Sequence, residues 1–169
     1  MAALQSEMAE IRKSLGFTGT QAEFHDQMRR DPKHFAKTPE EVAERFMAYV
    51  RLIEPHINDY FDVMPRAPYG VKRLEAAQEA GMTFGIYQPP NPVEPMGLYR
   101  FNGSKLESRP MVWTAALIYH ELIPGHHFHI ALAREQENVS EFRKTTSLLY
   151  PAFTEGWANY AASPVSYTH

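Results

Sequence analysis

Apolar positions recur at helical spacing in the segment after Lys37. Val42, Phe46, Tyr49, Val50, Ile53, Ile57, Tyr60 and Phe61 follow one another mostly three or four apart, which puts them on one stripe of a helix. Thr38 offers an N-cap, Pro39 suits the first helical position, and Glu41 completes a Thr-x-x-Glu capping box. Pro55 lies inside the stripe and predicts a kink. Upstream, residues 2–15 are helix-compatible, and Gly16, Gly19 and Asp31-Pro32 then punctuate the chain. Between 64 and 109 the pattern changes. Pro65, Pro68, Pro89, Pro90, Pro92 and Pro95, with several glycines, exclude long helices there. Two short aromatic-rich runs, 83–87 and 98–101, read as strands that pair antiparallel across the Pro-rich loop. Helical character returns after Arg109, with Pro110 in the first turn and MVWTAALIYHEL unbroken up to Pro124-Gly125. HHFHIALAREQE resumes it, Ser140 caps a further helix, and AFTEGWANYAA forms the last one, closed by Ser163-Pro164 with a frayed tail. The pattern predicts a mainly α fold with a small antiparallel β element between two helical blocks.

Length and composition narrow the function class. The 169 residues predict a single domain over 1–169, with 44% hydrophobic and 22% charged residues, as in ordinary soluble globular proteins. The formal net charge is -3, and basic residues cluster only as isolated doublets such as Arg29-Arg30 and Lys72-Arg73. No basic stripe for nucleic acid is present. There is no cysteine, which excludes disulfides, Cys-based zinc modules, iron–sulfur clusters and thiol catalysis. The longest apolar stretch, 111–119, is too short for a membrane span. The opening MAALQSEMAEIRKSLGF lacks the pattern of a signal peptide, so the expected location is cytoplasmic by default.

The chemistry concentrates between 120 and 129, where His120, His126, His127 and His129 gather with Glu121. Imidazoles beside a carboxylate are a usual ligand set for Zn2+. The familiar His-Glu-x-x-His spacing stacks two histidines one turn apart, but here Pro124 occupies the position four after His120. In a regular helix His126 would lie about 240° around from His120 and roughly 9 Å along it. His127 would share the face but lie roughly 10.5 Å away. A Pro-Gly pair allows a helix to widen or restart. His127 fits an undistorted face and His126 fits a helix widened by two residues, so both stand as candidates.

The run 119–129 resembles the HExxPGHH motif of the DUF885 family, which is grouped with thermolysin-like zinc metallopeptidases. FDVMPRAPYGVKRL at 61–74, YQPPN at 87–91, LYRFN at 98–102, RP at 109–110 and TEGWANYA at 154–161 follow in that family's order. The resemblance implies a zincin-like fold and a gluzincin-like site. In that site His120 is the first metal ligand, His126 or His127 the second, Glu155 the third, and Glu121 the general base. It implies Zn2+ as cofactor and a peptide or peptide-like substrate. Such a site leaves a position for water, whose proton Glu121 would take. The strand at 98–102, with Tyr99 and Phe101, is expected to pair with an extended substrate, and Tyr150 and Tyr160 to offer hydrogen bonds to an oxyanion. His129 is expected beside the site or exposed, Arg109 in an ion pair, and 88–95 as a surface connection. Family members run to several hundred residues and continue past the EGWA segment. The resemblance therefore implies a fragment or shortened member, whose uncovered face would drive self-association. A non-catalytic metal-binding or interaction domain is the alternative function.

Overall fold

The computed structural model describes residues 2–145 and 149–168. Helix α1 spans Ala2–Ser14 and α2 spans Gln21–Arg30. Thr20 starts α2 with a full capping box: its hydroxyl accepts the Glu23 N–H, and the Glu23 carboxylate accepts the Thr20 N–H at 2.7 Å. Helix α3 spans Pro39–Ile53 and buries Val42, Phe46, Val50 and Ile53 of the predicted stripe, whereas Tyr49 and, beyond the helix, Tyr60 are exposed. Its start differs slightly from expectation. Thr38 accepts the Glu41 N–H, but the Glu41 carboxylate reaches one residue further back, to the Lys37 N–H at 2.7 Å. Pro55 does not kink a continuous helix. The α-helix ends at Ile53 and the chain tightens into a 3-10 turn, Glu54–Asp59, that keeps Ile57 buried.

Three short strands follow: β1 Tyr69–Arg73, β2 Gly85–Gln88 and β3 Gly97–Phe101, in the order β1-β3-β2. The expected antiparallel pair is present, with Tyr87 opposite Tyr99. β1 adds to it in parallel, with Val71 also opposite Tyr99, so the sheet is mixed and β3 is its centre. A single-turn helix, α4 (Ala76–Glu79), follows β1. Its buried Glu79 accepts from Arg73 Nε at 2.7 Å, Arg73 Nη2 at 3.0 Å and the Gly103 N–H at 2.8 Å, tying strand, helix and loop together.

The second helical block holds α5 (Thr114–Glu121), α6 (His126–Glu135), α7 (Glu141–Thr145) and α8 (Pro151–Thr168). Helix α8 runs on through Ser163-Pro164 instead of ending there. Proline removes one backbone donor, but Ala161, Ala162 and Val165 are buried around it, and that packing carries the helix on. Helix α5 packs against α3 and α8, and α6 against α8. One buried cluster joins α3, the sheet, α5 and α6 through Val50, Tyr99, Phe101, Ile118, Leu122 and Phe128. Among the described residues no helix is long and apolar enough to cross a membrane.

Candidate metal centre

The break between α5 and α6 sets the site. The Leu122 N–H still bonds the Ile118 carbonyl at 2.8 Å, one ordinary helical step. The Gly125 N–H then reaches back six residues to the Tyr119 carbonyl at 2.9 Å, and the His127 N–H reaches back five to Leu122 at 3.0 Å. The backbone is thus widened by two residues between the helices. Gly125 is required there, because a Cβ on it would lie 1.7 Å from the His120 carbonyl oxygen. The widening brings His126 back beside His120, ring centroids 4.7 Å apart and planes at 78°. Glu155 of α8 bridges the pair: Oε2 lies 3.1 Å from His120 Nε2 and Oε1 lies 3.6 Å from His126 Nε2. One donor atom from each of the three residues falls within 4.8 Å of the others. His120 Nδ1 donates to Asn159 Oδ1 at 3.1 Å, so Nε2 is the ring nitrogen turned toward Glu155 and the group. Burial, with the nearby His120 charge, pushes His126 down to about 4, so its imidazole is in the neutral form that binds metals. Two imidazole nitrogens and a carboxylate, gathered this closely, can hold a metal ion.

Glu121 enters a cleft next to this group. The cleft is lined by Gly85–Gln88 of β2 and by Glu121, His126, Ile130 and Glu155. Strand β2 lies at the sheet edge. The Phe84 carbonyl accepts from the Asn102 N–H, so the main-chain groups of even-numbered residues face β3. Those of Gly85 and Tyr87 face outward, and the Tyr87 N–H donates to the Glu121 carboxylate. Burial first, and the charge of Glu155 second, push Glu121 up to about 7 against the pull of that N–H.

A family profile described as "Bacterial protein of unknown function (DUF885)" matches residues 1–164. The chain belongs to the DUF885 family. The fold is similar to a crystal structure from Colwellia psychrerythraea described as a "putative lipoprotein". The TM-score is 0.86 and the sequence identity 26%, over 98% of this chain. This chain spans 29% of the length of that one. No functionally curated protein matches it.

The remaining predicted site residues of this DUF885 chain fall elsewhere. His127 is fully buried and turned away from the three-residue group. Its Nε2 donates to the Ala67 carbonyl at 3.0 Å, and its Nδ1 accepts from the Tyr87 hydroxyl at 2.9 Å. Gly97 leaves room for that ring, since a Cβ there would sit 2.2 Å from Nδ1. His127 therefore latches α6 to the sheet. Tyr99 and Phe101 are not at a free edge: β3 is paired on both sides and their side chains are buried. Strand addition is open to β2 instead. Tyr150 is exposed and lines a separate hollow with His129, Val139 and Phe153, outside the Glu121 cleft. Tyr160 is exposed beside Trp157. The His129 ring packs on Phe153 with centroids 5.0 Å apart. Arg109 donates to the backbone carbonyls of Ser104 and Thr83, and among the described residues it forms no close ion pair. Sequence reasoning missed Asn159, whose one signal is its position four after Glu155, and Tyr87, which touches both Glu121 and His127.

Proposed function

We propose that this chain carries a zinc-dependent hydrolytic centre acting on peptide or related amide bonds. The observation behind the reading is the convergence of His120, His126 and Glu155 within 4.8 Å, with Glu121 opening on the same cleft. The two imidazoles and the Glu155 carboxylate suit zinc in donor type and number, and three protein ligands leave room for a further one. Bound there, the ion would supply Lewis acidity for a carbonyl and acidify a water. The chain's own residues account for the rest. Glu121 takes a proton from the attacking water and returns it to the leaving amine. Asn159 holds His120 with its Nε2 turned toward the group. The outward main-chain groups of Gly85 and the Tyr87 carbonyl accept an extended substrate as an added strand, the Tyr87 N–H being held by Glu121. Ile130 and Tyr87 line the cleft with apolar surface.

Metal analysis by mass spectrometry tests the reading first. About one zinc per chain is expected, lost in His120→Ala and Glu155→Ala. Glu121→Gln should keep the metal and lose peptide hydrolysis by about two to four orders of magnitude. A zinc-loaded wild type that cleaves no peptide would leave a metal-binding domain without turnover. A folded protein that takes up no zinc would remove both readings.

A further inference from the structure

The cleft that holds Glu121 is bridged at one end. His126 and Ile130 of α6 line it four residues apart, and Arg134 is the next step of the same row. The opposite wall runs the same way: Gln88 and Pro89 line the cleft, and Pro90 follows them. The two walls meet there, because Arg134 Nη1 donates to the Pro90 carbonyl at 2.6 Å. Among the described residues the Arg134 side chain makes no other hydrogen bond or ion pair, which leaves Nε and Nη2 free to donate. Burial pushes the Tyr87 hydroxyl up and the charge of Arg134 works against it, so the guanidinium lies near the ring that also flanks His126 at 6.2 Å. Glu135, the next residue, does not neutralise this charge. Its carboxylate accepts the N–H groups of Arg66 and Ala67, each at 2.9 Å. The cleft offers about 510 Å³, within the ordinary range of ligand sites.

We propose that Arg134 binds the C-terminal carboxylate of a peptide lying in the cleft, which makes the chain a carboxypeptidase that removes short C-terminal pieces. The proposal rests on the hydrolase reading above and deepens it. Nε and Nη2 form one edge of the guanidinium, the edge that takes both oxygens of a carboxylate, while Nη1 stays on Pro90. The step from His126 to Arg134 covers about 12 Å of helix. An extended chain spans that length in about three or four residues, and the reach of the arginine side chain shortens it. The carboxylate is thus held roughly two or three residues beyond the bond that is cut. One water splits that amide and yields a shortened peptide acid and a free di- or tripeptide. A chain continuing past this point meets the bridge between Arg134 and Pro90. A chain ending there brings the charge that the free edge binds.

Binding is measured apart from turnover. N-acetylated pentaalanine and its C-terminal amide are titrated calorimetrically into the full chain carrying Glu121→Gln, which bars cleavage. The free acid should bind about tenfold more tightly than the amide. Adding Arg134→Gln removes the charge but keeps an N–H for the Pro90 carbonyl, and the preference should fall to about twofold or less. Equal binding of acid and amide, binding of neither at millimolar concentration, or a preference that survives in folded Arg134→Gln overturns the proposal. So does an equal weakening of both peptides in that variant, which would make Arg134 a strut between the walls and nothing more. A third peptide, the same amide with glutamate as its last residue, separates the two sources of a carboxylate. If it binds as tightly as the free acid and loses this in Arg134→Gln, the site reads an acidic side chain and the carboxypeptidase assignment falls. With the wild type, mass spectrometry of the products should show loss of a di- or tripeptide from the free acid, with kcat/KM about tenfold lower for the amide. Cleavage of the amide as readily as the acid also overturns it. A chain that binds as expected but cleaves neither peptide fails the hydrolase reading alone, and the carboxylate site stands.

Discussion

Asn159 and His127 show how two side chains outside the ligand group hold it in shape. Asn159 lies one turn beyond Glu155 on α8, and its Oδ1 accepts a hydrogen bond from His120 Nδ1. Removing that acceptor frees the imidazole to rotate and to change tautomer, which lowers its readiness as a ligand. Asn159→Ala is expected to weaken zinc affinity about tenfold with little change in thermal stability, since the residue is exposed. Competition with a chromogenic chelator measures this, and an unchanged affinity would remove Asn159 from the site. His127 acts through packing and two hydrogen bonds, at a distance from the donors. Its neighbour in sequence, His126, joins His120 and Glu155 while His127 fixes α6 against the sheet. Sequence alone left the two histidines level because the choice depends on the path of 122–125. That path is set by which carbonyls the Gly125 and His127 N–H groups find.

At the level of elements, the α5–α6 junction and the edges of the sheet carry the site. Gly125→Ala would drive a Cβ into the His120 carbonyl, 1.7 Å away, with no flexible side chain to give way. A loss of about 3 kcal/mol is expected, together with loss of zinc stoichiometry. Gly156 is the control: nothing lies within 4 Å of a Cβ there, so Gly156→Ala in α8 should stabilise by about 0.5–1 kcal/mol. Thermal unfolding with metal analysis reads both. Glu79 anchors the sheet from below. The Arg73 guanidinium beside it, then the Gly103 N–H, hold its carboxyl below the usual range. A depressed folded value means the stabilisation is present above the unfolded pKa and is lost as pH falls through the folded one. Glu79→Gln should therefore cost about 2 kcal/mol at neutral pH. The gap to wild type should close below about pH 4. Urea unfolding at pH 7 and pH 3 checks the sign. The amphipathic α3, the β2–β3 pair and the Pro-Gly break were legible because each rests on local pattern. β1 was not: Tyr69–Arg73 shows no clean alternation, ends in exposed Lys72 and Arg73, and pairs only through a long-range parallel register. Without β1, β3 passed for an edge strand, and the expected substrate contacts at Tyr99 and Phe101 followed from that error.

Across the whole molecule, burial is lopsided. Helix α8 turns Thr154, Ala158, Ala161, Ala162 and Val165 inward, against α5 and α6. Its other side carries Phe153, Trp157 and Tyr160 at spacings of four and three, a second apolar stripe. Leu149 and Tyr150 precede it, and Leu149 and Tyr160 are 70% and 74% exposed. A helix apolar on both sides is ordinarily covered on both. Exposed aromatics grouped along one stripe mark a surface that associates, while scattered ones do not. The sedimentation coefficient of the wild type should therefore rise with protein concentration. Leu149→Lys with Tyr160→Lys places two charges on that surface without touching the buried side, and association should weaken by about tenfold or more. Zinc content should be unchanged in the pair, since neither side chain belongs to the donor group. A wild type that sediments as a monomer throughout, with the double variant identical, would mean that this stripe is tolerated open in water.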